Sequence, residues 1–221
     1  MIRRKHPRIT KAMARSATRE EIKGPVFPGT GGWGDGGGMP GASRRASLTG
    51  LLVLLTASTM VFAAFTSAFW VRRGLSNDWA PTPLPRVMWL NTAVLLASSA
   101  LLEIGRRALK AGRRAEFNRY WTGGTALGVL FLLGQALAWR QLSAAGFFIA
   151  SNPSSSFFYV LTAAHATHVL GGITALVYVD VKALSLQLGP GMRTAVDVSA
   201  LFWHFLDGLW IYLMVLLTVW G

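Results

Sequence analysis

The chain has 221 residues, of which 52% are hydrophobic and only 14% are charged, and its formal net charge is +13. This composition is too apolar and too poor in charge for an ordinary soluble domain, so it indicates a membrane protein. Because the chain has no cysteine, it can form no disulfide, no thiolate-bound metal site and no cysteine nucleophile. We expect no nucleic-acid binding, because no recognised binding motif accompanies the basic residues.

Residues 1–46 are predicted to form an arm that precedes the membrane domain. Residues 1–23 are basic, and residues 24–42 are rich in glycine and contain three prolines. Such a sequence cannot bury enough apolar surface to offset the cost of ordering it, so we expect a flexible arm. The alternative is a tether that lies along a neighbouring subunit. No cleavable signal peptide is predicted, because the first apolar run begins only at residue 48 and has full membrane length.

Residues 47–221 are predicted to form an all-α bundle of five transmembrane helices. A helix needs about 20 apolar residues to cross a bilayer of about 30 Å. Such runs lie at about 48–71, 87–104, 121–139, 155–179 and 198–220. Because backbone polar groups cannot stay unpaired in lipid, these runs are predicted to be helical.

The fourth predicted helix begins inside a run of 39 residues without a charge, which is too long for one crossing. The sequence "SNPSSS" divides this run. Pro153 disfavours helical backbone at Asn152, and the serines that follow can cap a new helix. The new helix is therefore predicted to begin at about Ser155.

The lysines and arginines predict the orientation of the bundle. Ten of them precede the first helix, six lie between the second and third helices, and two lie between the fourth and fifth. The loops on the opposite side hold four. The positive-inside rule therefore predicts a cytoplasmic N-terminus and a C-terminus outside.

Four polar residues within the predicted helices are costly to bury in a bilayer and are therefore informative. His165 and His168 are three positions apart on the fourth helix, and His204 and Asp207 are three apart on the fifth. Each pair shares a helical face, and the two faces lie at similar depth, so the four residues are predicted to form one structural polar network. Two other interpretations stay open: a haem or metal site built from the three histidines, and a proton or ion path through Asp207.

Small, basic and aromatic residues predict the surfaces of the bundle. Gly124, Gly128 and Gly134 predict close packing of the third helix, either within the bundle or against another subunit. Candidate lipid-binding residues are basic residues near the predicted cytoplasmic helix ends and two tryptophans of the fifth helix: Arg44, Arg45, Arg106, Arg107, Trp203 and Trp210.

Three motifs resemble subunit III of the haem-copper terminal oxidases, the cytochrome c oxidase type. They are "SSFFYVLTAAHATHVLGG" at 155–172, "WHFLDGLW" at 203–210 with a final "WG", and "PLPRVMWLNTAVLLASSALLE" at 83–103. The motifs are similar to the family's patterns in the corresponding helices and occur in the same order. The resemblance covers about residues 48–221, and five helices fit the short bacterial form of the subunit.

The resemblance implies a non-catalytic accessory subunit of an oxidase of aerobic respiration, a multi-pass protein of the bacterial inner membrane. Such a subunit would pack against catalytic subunit I and against subunit II, hold structural phospholipid, and support proton uptake and stability during oxygen reduction. Haem and copper would lie in the partner subunit, and this chain itself would bind no metal. Membership of a larger respiratory supercomplex is a further expectation.

The chain departs from the family pattern in its first helix. The family typically carries an acidic residue there, in a pattern like S-E-x-M-F-F, where "TASTMVFAAF" offers Ser58 or Thr59. A family glutamate before the last helix is matched by Asp197. Two alternatives to the oxidase subunit stay open: an accessory subunit of a nitric oxide reductase, and a stand-alone membrane carrier of haem or metal.

Overall fold

The computed structural model describes residues 40–75, 77, 79–80, 84–149, 152–185 and 190–220. Most of the predicted arm, up to residue 39, lies outside this range. The described residues form five α-helices: α1 (Pro40–Leu75), α2 (Val87–Lys110), α3 (Arg114–Ala144), α4 (Pro153–Leu184) and α5 (Pro190–Trp220). All five are long and apolar enough to cross a membrane, which confirms the predicted five-helix membrane domain.

The helices are longer than the charge-free runs that predicted them. α2 continues from Ile104 to Lys110, and α1 begins at Pro40, before the boundary predicted at residue 47. Arginine, lysine and glutamate are good helix formers, so a helix need not end where the apolar run ends. Charge-free runs therefore predict the membrane-crossing part of each helix and miss its extensions.

The start of α4 is fixed by a capping box. Asn152 has extended backbone angles, φ −160° and ψ 165°, and its Oδ1 accepts a hydrogen bond of 2.9 Å from the backbone N–H of Ser155. The backbone N–H of Asn152 donates in return to Ser155 Oγ at 3.3 Å. Pro153 occupies the first turn, where its missing N–H costs nothing. The predicted break is confirmed, and the helix begins two residues before the predicted start.

Helices α2 to α5 form a ring in which each packs against the next and α5 packs against α2. The turn from α2 to α3 is short and contains Gly112 at φ 75°, a left-handed conformation that glycine adopts readily. α1 lies outside this ring, packed against α4 and α5. In the described part of the chain, no Cα atom of α1 lies within 8 Å of a Cα atom of α2. The outer face of α5 is therefore flanked by α1 on one side and by α2 on the other.

The predicted glycine surface of α3 lies within the bundle. Cβ atoms added at Gly124 and Gly134 would lie 2.7 Å from Leu102 and 2.2 Å from Asn91, both on α2. Hydrogen bonds cross the same contact, because Ser98 Oγ donates to the carbonyl of Gly124 at 2.7 Å. α2 and α3 therefore pack closely through glycine, as small residues allow in membrane helices.

Candidate functional site

His204 and Asp207 lie at the contact between α5 and α2. His204 Nδ1 is 2.5 Å from Ser99 Oγ and 3.9 Å from Asp207 Oδ2, and His204 Nε2 is 3.8 Å from Glu103 Oε2. Asp207 is 5% exposed, and neither of its carboxylate oxygens has a hydrogen-bond partner among the described residues. The structure thus brings this predicted pair together and adds two residues of α2 to it.

An ion-pair cluster continues from this group toward the end of the bundle that holds the α2–α3 turn. Arg106 and Arg107 form ion pairs with Glu103, at 2.7 Å and 2.8 Å respectively. Arg106 also reaches Asp197 on α5, at 3.4 Å, and Lys110 lies 3.8 Å from the same carboxylate. The cluster therefore ties α2 to α5 along the two helical turns nearest this end.

His165 lies in an aromatic part of the core. Its ring centroid is 5.0 Å from that of Trp210 on α5 and 6.0 Å from that of Phe131 on α3. The residue is fully buried, and neither ring nitrogen has a hydrogen-bond partner among the described residues. His165 therefore packs as an aromatic ring, with its polar atoms unpaired.

His168 faces α1. Its ring centroid lies 5.4 Å from that of Phe62, and its Nδ1 lies 2.8 Å from the carbonyl oxygen of Ala164 on its own helix. The contacts of His165 and His168 are thus separate from those of His204 and Asp207. The structure differs here from the predicted single network, because residues three apart differ by about 60° around a helix axis and so reach different neighbours.

No metal centre is assembled in the part of the chain that the structure describes. Within it, no three side chains of the His, Cys, Asp or Glu type come close enough to hold a metal ion. His165 faces α3 and α5, His168 faces α1, and His204 faces α2. The three-histidine site that the sequence left open therefore does not form among these residues.

The candidate lipid-binding residues divide into two kinds. Trp203 and Trp210 are buried within the bundle, and Trp210 Nε1 donates to Thr92 Oγ1 of α2 at 2.9 Å. These two indoles pack between helices, so they present no surface to lipid, in contrast to the prediction. The basic candidates lie on the surface or near it: Arg44, Arg45 and Arg107 are exposed, and Arg106 is half-buried in its ion pairs.

Ser58 and Thr59, which the resemblance set against an acidic residue of the family, have different surroundings. Ser58 is buried, and its hydroxyl has no hydrogen-bond partner among the described residues. Thr59 is exposed and donates to the carbonyl of Leu55 at 2.8 Å, one turn earlier in α1.

Two apolar cavities flank α1. The first, of about 400 Å³, lies between α1, α4 and α5 and is bordered by Gly50, Leu51, Leu54, His168, Gly171 and Phe202 among others. The second, of about 430 Å³, lies between α1 and α5 and is bordered by Thr59, Phe62, Ala63, Thr66, Phe205, Gly208, Leu209 and Tyr212. A third crevice of about 140 Å³ is basic and is bordered by Arg106, Leu109, Lys110, Arg193, Val196 and Asp197.

The sequence interpretation did not assign Ser99 and Glu103 to the polar group around His204. The signal was present, because the two residues are four positions apart on α2 and share a helical face. What the sequence did not supply was the rotation of α2, which turns that face toward α5. The same holds for Asn91 and Ser98, whose side chains cross to backbone carbonyls of α3.

Comparison with known proteins agrees with this architecture. The family model for cytochrome c oxidase subunit III matches residues 42–221. The chain is 32% identical to the probable cytochrome c oxidase subunit 3 of Mycobacterium tuberculosis, over 76% of this chain and 85% of that protein. It is 31% identical to the corresponding protein of Nocardia farcinica, over 73% of this chain and 82% of that protein. It is 30% identical to cytochrome c oxidase subunit 3 of Synechocystis, over 76% of this chain and 72% of that protein. The chain therefore belongs to the cytochrome c oxidase subunit III family.

Proposed function

We propose that the chain is a non-catalytic accessory subunit that packs against catalytic subunit I and against subunit II of a respiratory oxidase. The match to the subunit III family over residues 42–221 carries this proposal. The arrangement of the histidines supports it, because His165, His168 and His204 face different neighbouring helices and do not converge on one ligand. The haem and copper that reduce oxygen would then belong to the partner subunit, and assembly into a respiratory supercomplex would proceed through it.

We propose further that the chain spans a bacterial inner membrane with its N-terminus in the cytoplasm. One end of the bundle carries most basic residues of the described chain, and the other end carries few. The first set is Arg44, Arg45, Arg106, Arg107, Lys110, Arg113, Arg114, Arg119, Lys182 and Arg193, and the second is Arg72, Arg73, Arg86 and Arg140. The positive-inside rule supports placing the first set in the cytoplasm.

Phospholipid is the ligand that we propose for the surfaces around α1 and at the basic end. The two cavities beside α1 are bordered mainly by apolar side chains, which suits acyl chains. The crevice between α2 and α5 is lined by three basic side chains, Arg106, Lys110 and Arg193, and by one carboxylate, Asp197, and this excess of positive charge suits an anionic headgroup. Arg44 and Arg45, exposed near the same end of α1, would add attraction to anionic lipid.

The accessory role that we propose is to sustain proton uptake and the working lifetime of the oxidase. Bound lipid and the extra helical bundle would keep the catalytic subunit in its folded state during oxygen reduction. The chain would therefore affect how long turnover continues, with no effect on whether the redox centres are present. This separation gives the proposal a direct test.

The experiment compares the oxidase purified with and without this chain. We expect the depleted enzyme to keep its haem spectrum, to lose activity faster during continuous turnover, and to carry less phospholipid. Arg193→Gln, which removes an exposed charge of the crevice, should lower the phospholipid content of the complete complex, whereas Arg140→Gln, exposed at the opposite end of the bundle, serves as the matched control. Loss of haem together with the chain, or equal lifetimes of the two preparations, would contradict the accessory role.

A further inference from the structure

Polar side chains are exposed on the outer face of α5 at a depth where lipid chains would be expected. His204 lies six residues after Val198, where the apolar run of α5 begins, and thus about 9 Å into that run. Its side chain is 37% exposed, and that of Glu103 beside it is 24% exposed. Imidazole and carboxylate groups inside a bilayer are costly and face protein or a polar cavity, not hydrocarbon.

This polar strip lies at the bottom of a groove between two helices. α1 and α2 both pack against α5, and in the described residues no Cα atom of one lies within 8 Å of a Cα atom of the other. The exposed face of α5 between them carries Leu201, His204 and Gly208, which share one side of the helix. A Cβ atom added at Gly208 would meet nothing within 4 Å. Gly208 therefore leaves the floor open where it borders the second cavity, whereas Leu201, 49% exposed, covers another part of the floor.

We propose that this groove, bordered by Ser99 and Glu103 of α2 and by Leu201 and His204 of α5, is the docking site for a transmembrane helix of another oxidase subunit. The docking helix presents an uncharged hydrogen-bonding side chain to His204 Nε2. The proposal rests on the proposed function, which supplies the partner, and it deepens that function by naming the interface.

The chemistry of the groove favours this occupant over lipid. His204 Nδ1 is already engaged by Ser99 Oγ at 2.5 Å, whereas Nε2 lies 3.8 Å from Glu103, too far for a hydrogen bond. Arg106 and Arg107 already pair with Glu103, so His204 Nε2 is the hydrogen-bonding atom that these contacts leave open. A polar side chain of a membrane helix can bond to that atom, and an acyl chain cannot.

A second copy of this chain is a poorer match. In a symmetric contact the same patch lies on both sides, so the groove of one copy would face the groove of the other. Two facing concave surfaces do not fill each other. A helix from a different subunit can present the complementary group, so we favour it and treat self-association as an outcome of the test.

The test places a photoreactive amino acid, p-benzoylphenylalanine, at Leu201 or at Leu130 in the complex in its native membrane. The two leucines are matched in exposure, 49% and 48%, but Leu130 lies on α3, away from the groove. We expect position 201 to crosslink to another oxidase subunit and position 130 to give lipid adducts. Lipid adducts alone from position 201, or a crosslink to a second copy, would overturn the proposal.

A second arm tests the hydrogen bond at His204. His204→Gln keeps a hydrogen-bonding group, whereas His204→Leu removes it. We expect the glutamine variant to stay in the purified complex and the leucine variant to be retained about fivefold less, the effect of one lost intramembrane hydrogen bond. Equal retention of the two variants would contradict the polar contact.

If the wild-type chain does not copurify with an oxidase, the proposed function fails as well. If it copurifies while position 201 gives only lipid adducts, the function stands and this inference fails.

Discussion

The indole of Trp203 on α5 occupies the space where Gly128 on α3 has no side chain. A Cβ atom added at Gly128 would lie 2.6 Å from Cη2 of this ring, and one added at Gly172 on α4 would lie 3.2 Å from its Cε3. The ring is fully buried, so it has little room to move away. The helices α3, α4 and α5 therefore meet at Trp203, whose indole fits there because Gly128 and Gly172 have no side chains.

Gly128→Ala is expected to destabilise the protein by about 1–3 kcal/mol, because the added methyl group overpacks a rigid contact. The effect is measured as a lower thermal midpoint of the purified protein in mild detergent. Gly123→Ala is the control on the same helix, because its Cβ would meet Leu101 at an ordinary 3.4 Å. Equal midpoints for the two variants would show that the Trp203 contact is not tight.

His165→Leu is expected to leave the thermal midpoint unchanged or to raise it. The imidazole is buried between Phe131 and Trp210, and its two nitrogens have no hydrogen-bond partner among the described residues. Replacing an unpaired buried polar group by an apolar group of similar size removes the cost of burying it, about 1–3 kcal/mol. A clear drop in the midpoint would mean that the ring nitrogens are engaged in the native membrane.

Ser98→Ala is expected to weaken the contact between α2 and α3. It removes the 2.7 Å hydrogen bond to the carbonyl of Gly124, for a loss of about 1 kcal/mol. Ser143→Ala is the comparison, because Ser143 Oγ donates only within its own helix, to the carbonyl of Arg140. Thermal unfolding of both variants, followed by circular dichroism, separates the two cases. If Ser143→Ala destabilises the protein as much, the interhelical bond is not what stabilises this contact.

Asn152→Ala is expected to fray the first turn of α4 and to lower stability by about 1 kcal/mol, because it removes the cap that accepts the N–H of Ser155. Asn152→Asp keeps an acceptor in the same place and should restore most of the loss. Hydrogen exchange of the first amides of α4 reports the effect directly. Faster exchange in both variants would contradict a capping role for this side chain.

The number of helices and the break before α4 could be predicted from the sequence, because both depend on local properties. Membrane length sets the apolar runs, and "SNPSSS" contains the cap and the proline that end one helix and begin the next. The extensions of the helices beyond the membrane could not be predicted in the same way. The charged residues there are compatible with helix and with loop alike.

The polar group at α2 and α5 could be predicted only in part. The spacing of His204 and Asp207 predicted a shared face, and the structure places Ser99 and Glu103 beside His204. The same argument failed to separate His165 from His168, because a spacing of three leaves about 60° between two side chains. In a bundle where α4 touches α1, α3 and α5, that angle decides which neighbour each ring meets.

The measurement that tests the central claim most directly is purification of the tagged chain from its native membrane in mild detergent, with an optical spectrum and identification of the copurifying subunits. The account predicts haem absorbance together with a large oxidase subunit, and loss of that absorbance when the large subunit is removed. Haem or metal that stays with the isolated chain would contradict the accessory role and would make His165, His168 and His204 candidate ligands.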